Sequence, residues 1–119
     1  MSLTFGKFRI IAALLLVAVI LGCSNWTKEN IAESQRRGDV IVAAIEKFHA
    51  DNKQYPPTLD QLLPKYLSKI DPPIAGNGKW IYTDNGGGGY FLGFGGDNRD
   101  GDPLSYRANT LNGWVIDTR

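Results

Sequence analysis

Few side chains in this 119-residue sequence have the chemistry of a nucleophile, a base or a metal ligand. There is one Cys (Cys23) and one His (His49). A disulfide within the chain is therefore excluded, and a Cys/His zinc site cannot collect its ligands. His49 has no matched Ser or Asp motif that would build a nucleophilic triad, so it reads as a surface or helix-end His. The stretch with metal-site chemistry is Gly95-Gly96-Asp97-Asn98-Arg99-Asp100-Gly101-Asp102-Pro103. Calcium takes about six to eight hard oxygens, and Asp97, Asp100 and Asp102 with Gly-freed carbonyls could supply most of them. The order is not that of an EF-hand, since Arg99 and Gly101 fall on ligand positions counted from Asp97. The alternative is a solvated loop in which Asp and Gly make tight turns. Gly86 to Gly89 is no phosphate loop, because it lacks the Gly-Lys-Ser/Thr ending and the following helix.

Composition narrows the classes further. Thirteen Lys and Arg stand against 12 Asp and Glu, which removes the clustered basic excess of a nucleic-acid binder. With 43% hydrophobic and 21% charged residues the chain is globular, and its length suits one small domain. Much of the apolar content lies in one N-terminal run, and ten of the 14 Gly lie between Gly76 and Gly101.

Residues 1–22 read as an address and not as part of the fold. Lys7 and Arg9 form a short positive region, and Ile10 to Leu21 is an uncharged apolar run of 12 residues. A helix crossing the hydrocarbon needs roughly 20 residues, so the run suits a cleaved signal. Ile20-Leu21-Gly22-Cys23 resembles the bacterial lipobox, in which a signal peptidase cuts before a Cys that carries lipid. Small Gly22 gives the peptidase access to the scissile bond, and the Cys23 thiol takes the diacylglyceryl group. The plain alternative is a signal peptide or signal anchor with an incidental Cys. Cleavage removes Lys7 and Arg9, so 11 basic and 12 acidic residues remain, a net charge of −1. No polybasic attraction to anionic lipid is expected; acyl chains would do the anchoring.

Three elements follow in the mature chain. Trp26 to Asp51 reads as a helix, with Thr27 as N-cap and Glu29 in the first turn. Ile41, Ala44, Ile45 and Phe48 share one face. The half from Ile31 to Gly38 is weakly apolar and is expected to project as a polar stalk (residues 23–39). Residues 40–119 are then expected to form the globular domain. Asn52 suits a C-terminal cap, and Pro56-Pro57 forbids continuation. Thr58-Leu59-Asp60-Gln61 reads as a capping box before a short helix. Lys79–Thr83 and Tyr90–Phe94 are strand candidates joined through Asp84-Asn85-Gly86, with Trp114-Val115-Ile116 as a third. The aromatic residues Trp80, Tyr82, Tyr90, Phe91 and Phe94 alternate, so packing is their default role. An amphipathic helix on a three- to four-stranded antiparallel sheet gives an α+β fold.

In order and spacing, Asn52, Tyr55-Pro56, Leu59 with Leu62, Lys65-Tyr66-Leu67, Asp71-Pro72, Trp80 with Tyr82, and Gly86 to Gly89 form a pattern. It resembles the globular domain of the major, G-type pseudopilins of type II secretion, over roughly residues 40–102. The resemblance implies a long N-terminal helix on a small antiparallel sheet, no catalytic activity, and calcium in the C-terminal loop. The leader departs from that family, whose members carry a Glu five residues after the cleavage site. Here Gly6 is followed by Lys7-Phe8-Arg9-Ile10-Ile11, and Ile11 stands where the Glu would be. After Asp71-Pro72 the family's Trp-Gly is replaced by Pro73-Ile74. The expectation is a lipoprotein anchored through Cys23, with a non-enzymatic pseudopilin-like domain for protein partners in the envelope or a secretion machine. Ser24 after the Cys points to the outer membrane, facing the periplasm, in a cell with two membranes. The alternative is a true pseudopilin, a fibre subunit with a degenerate leader.

Overall fold

The computed structural model describes residues 25–86, 88–96 and 102–117. The leader, Cys23, and Asp97 and Asp100 of the acidic loop lie outside the described residues. The fold is α+β. Helix α1 (Lys28–Asn52) is followed by a 3-10 turn (Leu59–Leu62) and four strands, β1 (Ile81–Asp84), β2 (Tyr90–Gly95), β3 (Leu104–Ala108) and β4 (Val115–Asp117). The strands form one sheet in the order β1-β2-β3-β4, every neighbouring pair antiparallel.

Local chemistry sets the helix ends. Thr27 Oγ1 accepts the Asn30 N–H at 3.1 Å, satisfying one of the amides that the first turn leaves without a helical partner. At the other end Lys53 turns left-handed (φ 62°) and its N–H reaches the His49 carbonyl at 2.8 Å. Asn52, expected as the cap, is instead the last helical residue, and its amide donates back to the Phe48 carbonyl at 2.9 Å. The expected stripe of Ile41, Ala44, Ile45 and Phe48 is buried, together with Val42, against Tyr55, Leu62, Tyr90 and Leu92.

The expected stalk is corrected by the structure. Residues 28–39 pack on the body, because Gly38 and Ser34 continue the buried face of the helix one and two turns before Ile41. These residues work through size and hydrogen bonding and not through hydropathy. Ser34 Oγ accepts the N–H groups of Ile74 at 2.9 Å and Ala75 at 3.0 Å. Gly38 leaves room for indole rings: a Cβ built there would lie 2.5 Å from the Trp114 ring and 3.2 Å from that of Trp80. Among the described residues the packed body therefore extends back to Asn25, well before residue 40.

The capping box also gives way. Thr58 makes no side-chain cap, and its carbonyl accepts the Gln61 N–H at 3.2 Å inside a 3-10 turn of four residues. Leu63 is extended (φ −97°, ψ 142°), as the residue before Pro64 must be to avoid its ring. Strand β3 was not among the strand candidates. Its alternation is inverted, with Ser105 and Arg107 on the helix side and Leu104, Tyr106 and Ala108 on the far face.

Candidate functional site

The two ends of the molecule are built differently, and each contains residues singled out from the sequence. At the end where α1 begins, Asn25 is held by four hydrogen bonds. Its Oδ1 accepts the Gly76 N–H at 2.8 Å while its Nδ2 donates to the Gly76 carbonyl at 2.9 Å. Its own carbonyl accepts the Thr27 N–H and the Asn30 side-chain amide, both at 2.9 Å. Gly76 in turn lies against Gly95, so closely that a Cβ on Gly76 would be 2.5 Å from the Gly95 Cα. At φ 79° Gly76 also occupies a conformation that side chains disfavour. The Asn77 N–H closes this junction on the Gly95 carbonyl at 2.9 Å.

Above that junction Phe94, fully buried, meets all three tryptophans of the chain. The ring centroids of Trp26, Trp80 and Trp114 lie 5.7, 5.7 and 5.6 Å from that of Phe94, in tilted or edge-on contacts that suit the aromatic quadrupole. Trp114 is fixed further by its Nε1–H, which donates to Asp39 Oδ1 at 2.9 Å, and Arg107 Nη1 donates to the same oxygen at 2.9 Å. Of the aromatic residues expected to pack, Tyr90 and Phe94 are buried core and Tyr82 is partly buried, donating to the Pro56 carbonyl at 2.6 Å. Phe91 faces away from the helix, stacked on Tyr106 at 5.2 Å.

Of the three carboxylates proposed for calcium, Asp102 alone is described. It is exposed, and its carboxylate lies over Gly96, where a Cβ would sit 2.4 Å from Oδ2. Among the described residues no three His, Cys, Asp or Glu side chains gather as a metal group. The donor types of the loop fit calcium; the arrangement of Asp97 and Asp100 lies outside the described residues.

At the other end His49 stacks on Tyr55 with centroids 4.2 Å apart, and Tyr55 donates to Glu46 at 3.3 Å. Burial raises the phenol pKa of Tyr55 and of Tyr82, and pushes that of Tyr90 up to about 12. These hydroxyls stay neutral donors at ordinary pH. A shallow cleft of about 310 Å³ lies beside them, lined by Lys53, Gln54, Tyr55, Asp84, Gly86 and Gly88. On the helix flank, hydrogen bonds from Arg36 and then Arg37 draw the Glu33 carboxyl down to about 2. At ordinary pH it is an ionised partner of two guanidiniums.

Sequence reasoning missed Asn25, Ser34, Gly38 and the Asp39–Arg107 pair. All of them act through partners at least 40 residues away, a separation at which no local pattern operates. Among the described residues no helix is long and apolar enough to cross a membrane. No protein-family model, curated protein or solved structure matches the chain.

Proposed function

We propose that this chain is a bacterial envelope lipoprotein, tethered by acyl chains on Cys23, whose pilin-like α+β domain serves protein contact or assembly and not catalysis. One observation carries this reading. The only Cys of the sequence follows Ile20-Leu21-Gly22 at the end of a charged and then apolar leader, the position that takes lipid. Each buried CH₂ contributes about 0.8 kcal/mol, so two or more acyl chains hold a protein on a bilayer stably. The helix-then-antiparallel-sheet order and the Tyr55-Pro56 and Asp71-Pro72 spacings support the pilin-like assignment. Calcium on Asp97, Asp100 and Asp102 belongs to the same proposal and would neutralise three carboxylates gathered in one loop. Ser24 supports delivery to the outer membrane, facing the periplasm, in a diderm cell.

Metabolic labelling with a palmitate analogue tests the anchor. The wild type should be labelled and Cys23→Ser should not; equal labelling of both would refute it. The spacing of residues 52–89 favours a second reading, a pseudopilin subunit of a secretion fibre with a degenerate leader. The mature N-terminus separates the two: acylated Cys23 for the lipoprotein, Lys7 after cleavage at Gly6 for the fibre subunit.

A further inference from the structure

We infer that the domain rests directly on the lipid headgroups through the end that carries Asn25, Trp26 and residues 74–79, with the C-terminus of α1 and the β1–β2 turn held away from the bilayer. This placement depends on the lipid-anchor reading and adds an orientation to it. Ser24 alone separates Cys23 from Asn25. Two residues of fully extended chain reach about 7 Å, so the acylated residue stays within that distance of a residue locked to the body. The lock is the Asn25 clamp on Gly76, backed by Trp26 against Phe94. A flexible spacer of about 20 residues would instead wander over about 25 Å and leave every orientation open. Here no spacer exists.

The polarity of the fold then assigns the two ends. Helix α1 has 25 residues, and at about 1.5 Å per residue it carries Lys53 about 37 Å from the clamp. Strand β2 shares this axis, since Gly95 touches Gly76 while the turn before Tyr90 lines the cleft beside Lys53 and Tyr55. At the anchored end Trp26 and Ile74 are half-buried and keep part of their surface in solvent, and an indole with one polar edge suits the headgroup layer. Lys28 and Lys79 are exposed there beside Glu29 and, over Gly96, Asp102, so the charges balance and the acyl chains, and not a basic patch, bring this face to the lipid. The far end, with the cleft around Tyr55, then faces away from the bilayer.

Full-length protein, processed in cells and reconstituted into phosphatidylethanolamine–phosphatidylglycerol vesicles, tests this. With the sulfur of Cys23 bonded to the diacylglyceryl group, an introduced Cys is the single free thiol. A fluorophore at Lys79→Cys, an exposed near-end site, should be quenched several-fold more by headgroup-linked nitroxide than one at Gln54→Cys, an exposed far-end site. A Gly/Ser linker of about 20 residues inserted between Ser24 and Asn25 should abolish the difference. Equal quenching of the two labels without the linker, on protein whose mass shows the acyl chains, would overturn the orientation and leave the anchor standing. A mass without acyl chains would overturn both.

Discussion

Ser34→Ala probes the junction between the helix and the segment before β1 with a single atom. Ser34 Oγ accepts two backbone N–H groups, and both Ser34 and Ala75 are fully buried. Removing the acceptor strands two donors. Leaving a buried donor unpaired costs about 1–3 kcal/mol. The Ala75 amide falls in the upper part of that range, and the Ile74 amide, in a half-buried residue, in the lower, for about 3 kcal/mol together. Against this, Ala is the better helix former by about 0.5 kcal/mol. The net loss is about 2.5 kcal/mol, which at about 4–8 °C per kcal/mol lowers the melting temperature by about 10–20 °C. Residues 25–119, produced without the leader, are the material for thermal and urea unfolding. Amide exchange adds a local readout, since Ile74 and Ala75 should lose protection first. A variant within about 0.5 kcal/mol of wild type, with those two amides still protected, would refute the account, because surface changes alone give differences of that size.

Phe48→Ala in the same protein should cost about 3–5 kcal/mol by urea unfolding, since the ring is buried against Tyr66 and the core; an unchanged midpoint would mean that the helix face packs elsewhere. The Glu33 carboxyl has an ordinary pKa of 4.5 and a folded value of about 2, so its pairing stabilises the fold above pH 4.5 and is lost as pH falls through about 2. Its side-chain NMR resonance should titrate near that lower value, and Arg36→Gln should move the midpoint upward. If the acidic loop takes calcium, binding to the folded state alone adds about 2.7 kcal/mol at a hundredfold excess over Kd, with magnesium adding less. Calcium should then raise the melting temperature of wild type and not of Asp100→Ala; identical wild-type curves in millimolar calcium and in EDTA would remove the metal from the proposal.

The sequence shows its periodic parts most clearly. Ile41, Ala44, Ile45 and Phe48 recur at helical spacing and are large or apolar enough to register, so their face was legible. Ser34 and Gly38 lie on the same face and were not, because a hydroxyl that caps a distant loop and a space for indole rings have no hydropathy. Strands β1, β2 and β4 are announced by aromatic and β-branched runs. Strand β3 hides because its helix-facing positions hold Ser105, bonded to Gln35 and to the Val115 carbonyl, and Arg107, paired with Asp39. The proposal for Cys23 rests on a local string alone, Ile20-Leu21-Gly22-Cys23, and not on the fold. Nothing local could reveal the Asn25 clamp, whose partner lies 51 residues on.

The front half of α1 bears on how soon the chain can fold. Its partners arrive late: Ala75 stands 41 residues after Ser34, Ser105 stands 70 after Gln35, and Trp114 stands 75 after Asp39. A lone helix of this length is marginal in water without a surface to cover its apolar face. The emerging polypeptide thus has no early nucleus that completes the core; the indoles that meet at Phe94 come from positions 26, 80 and 114. Contacts of such long sequence separation slow folding, since loops must close before burial rewards them. For a chain read as an exported lipoprotein, that delay is useful: the polymer can thread a membrane channel in extended form and close around Phe94 only on the far side.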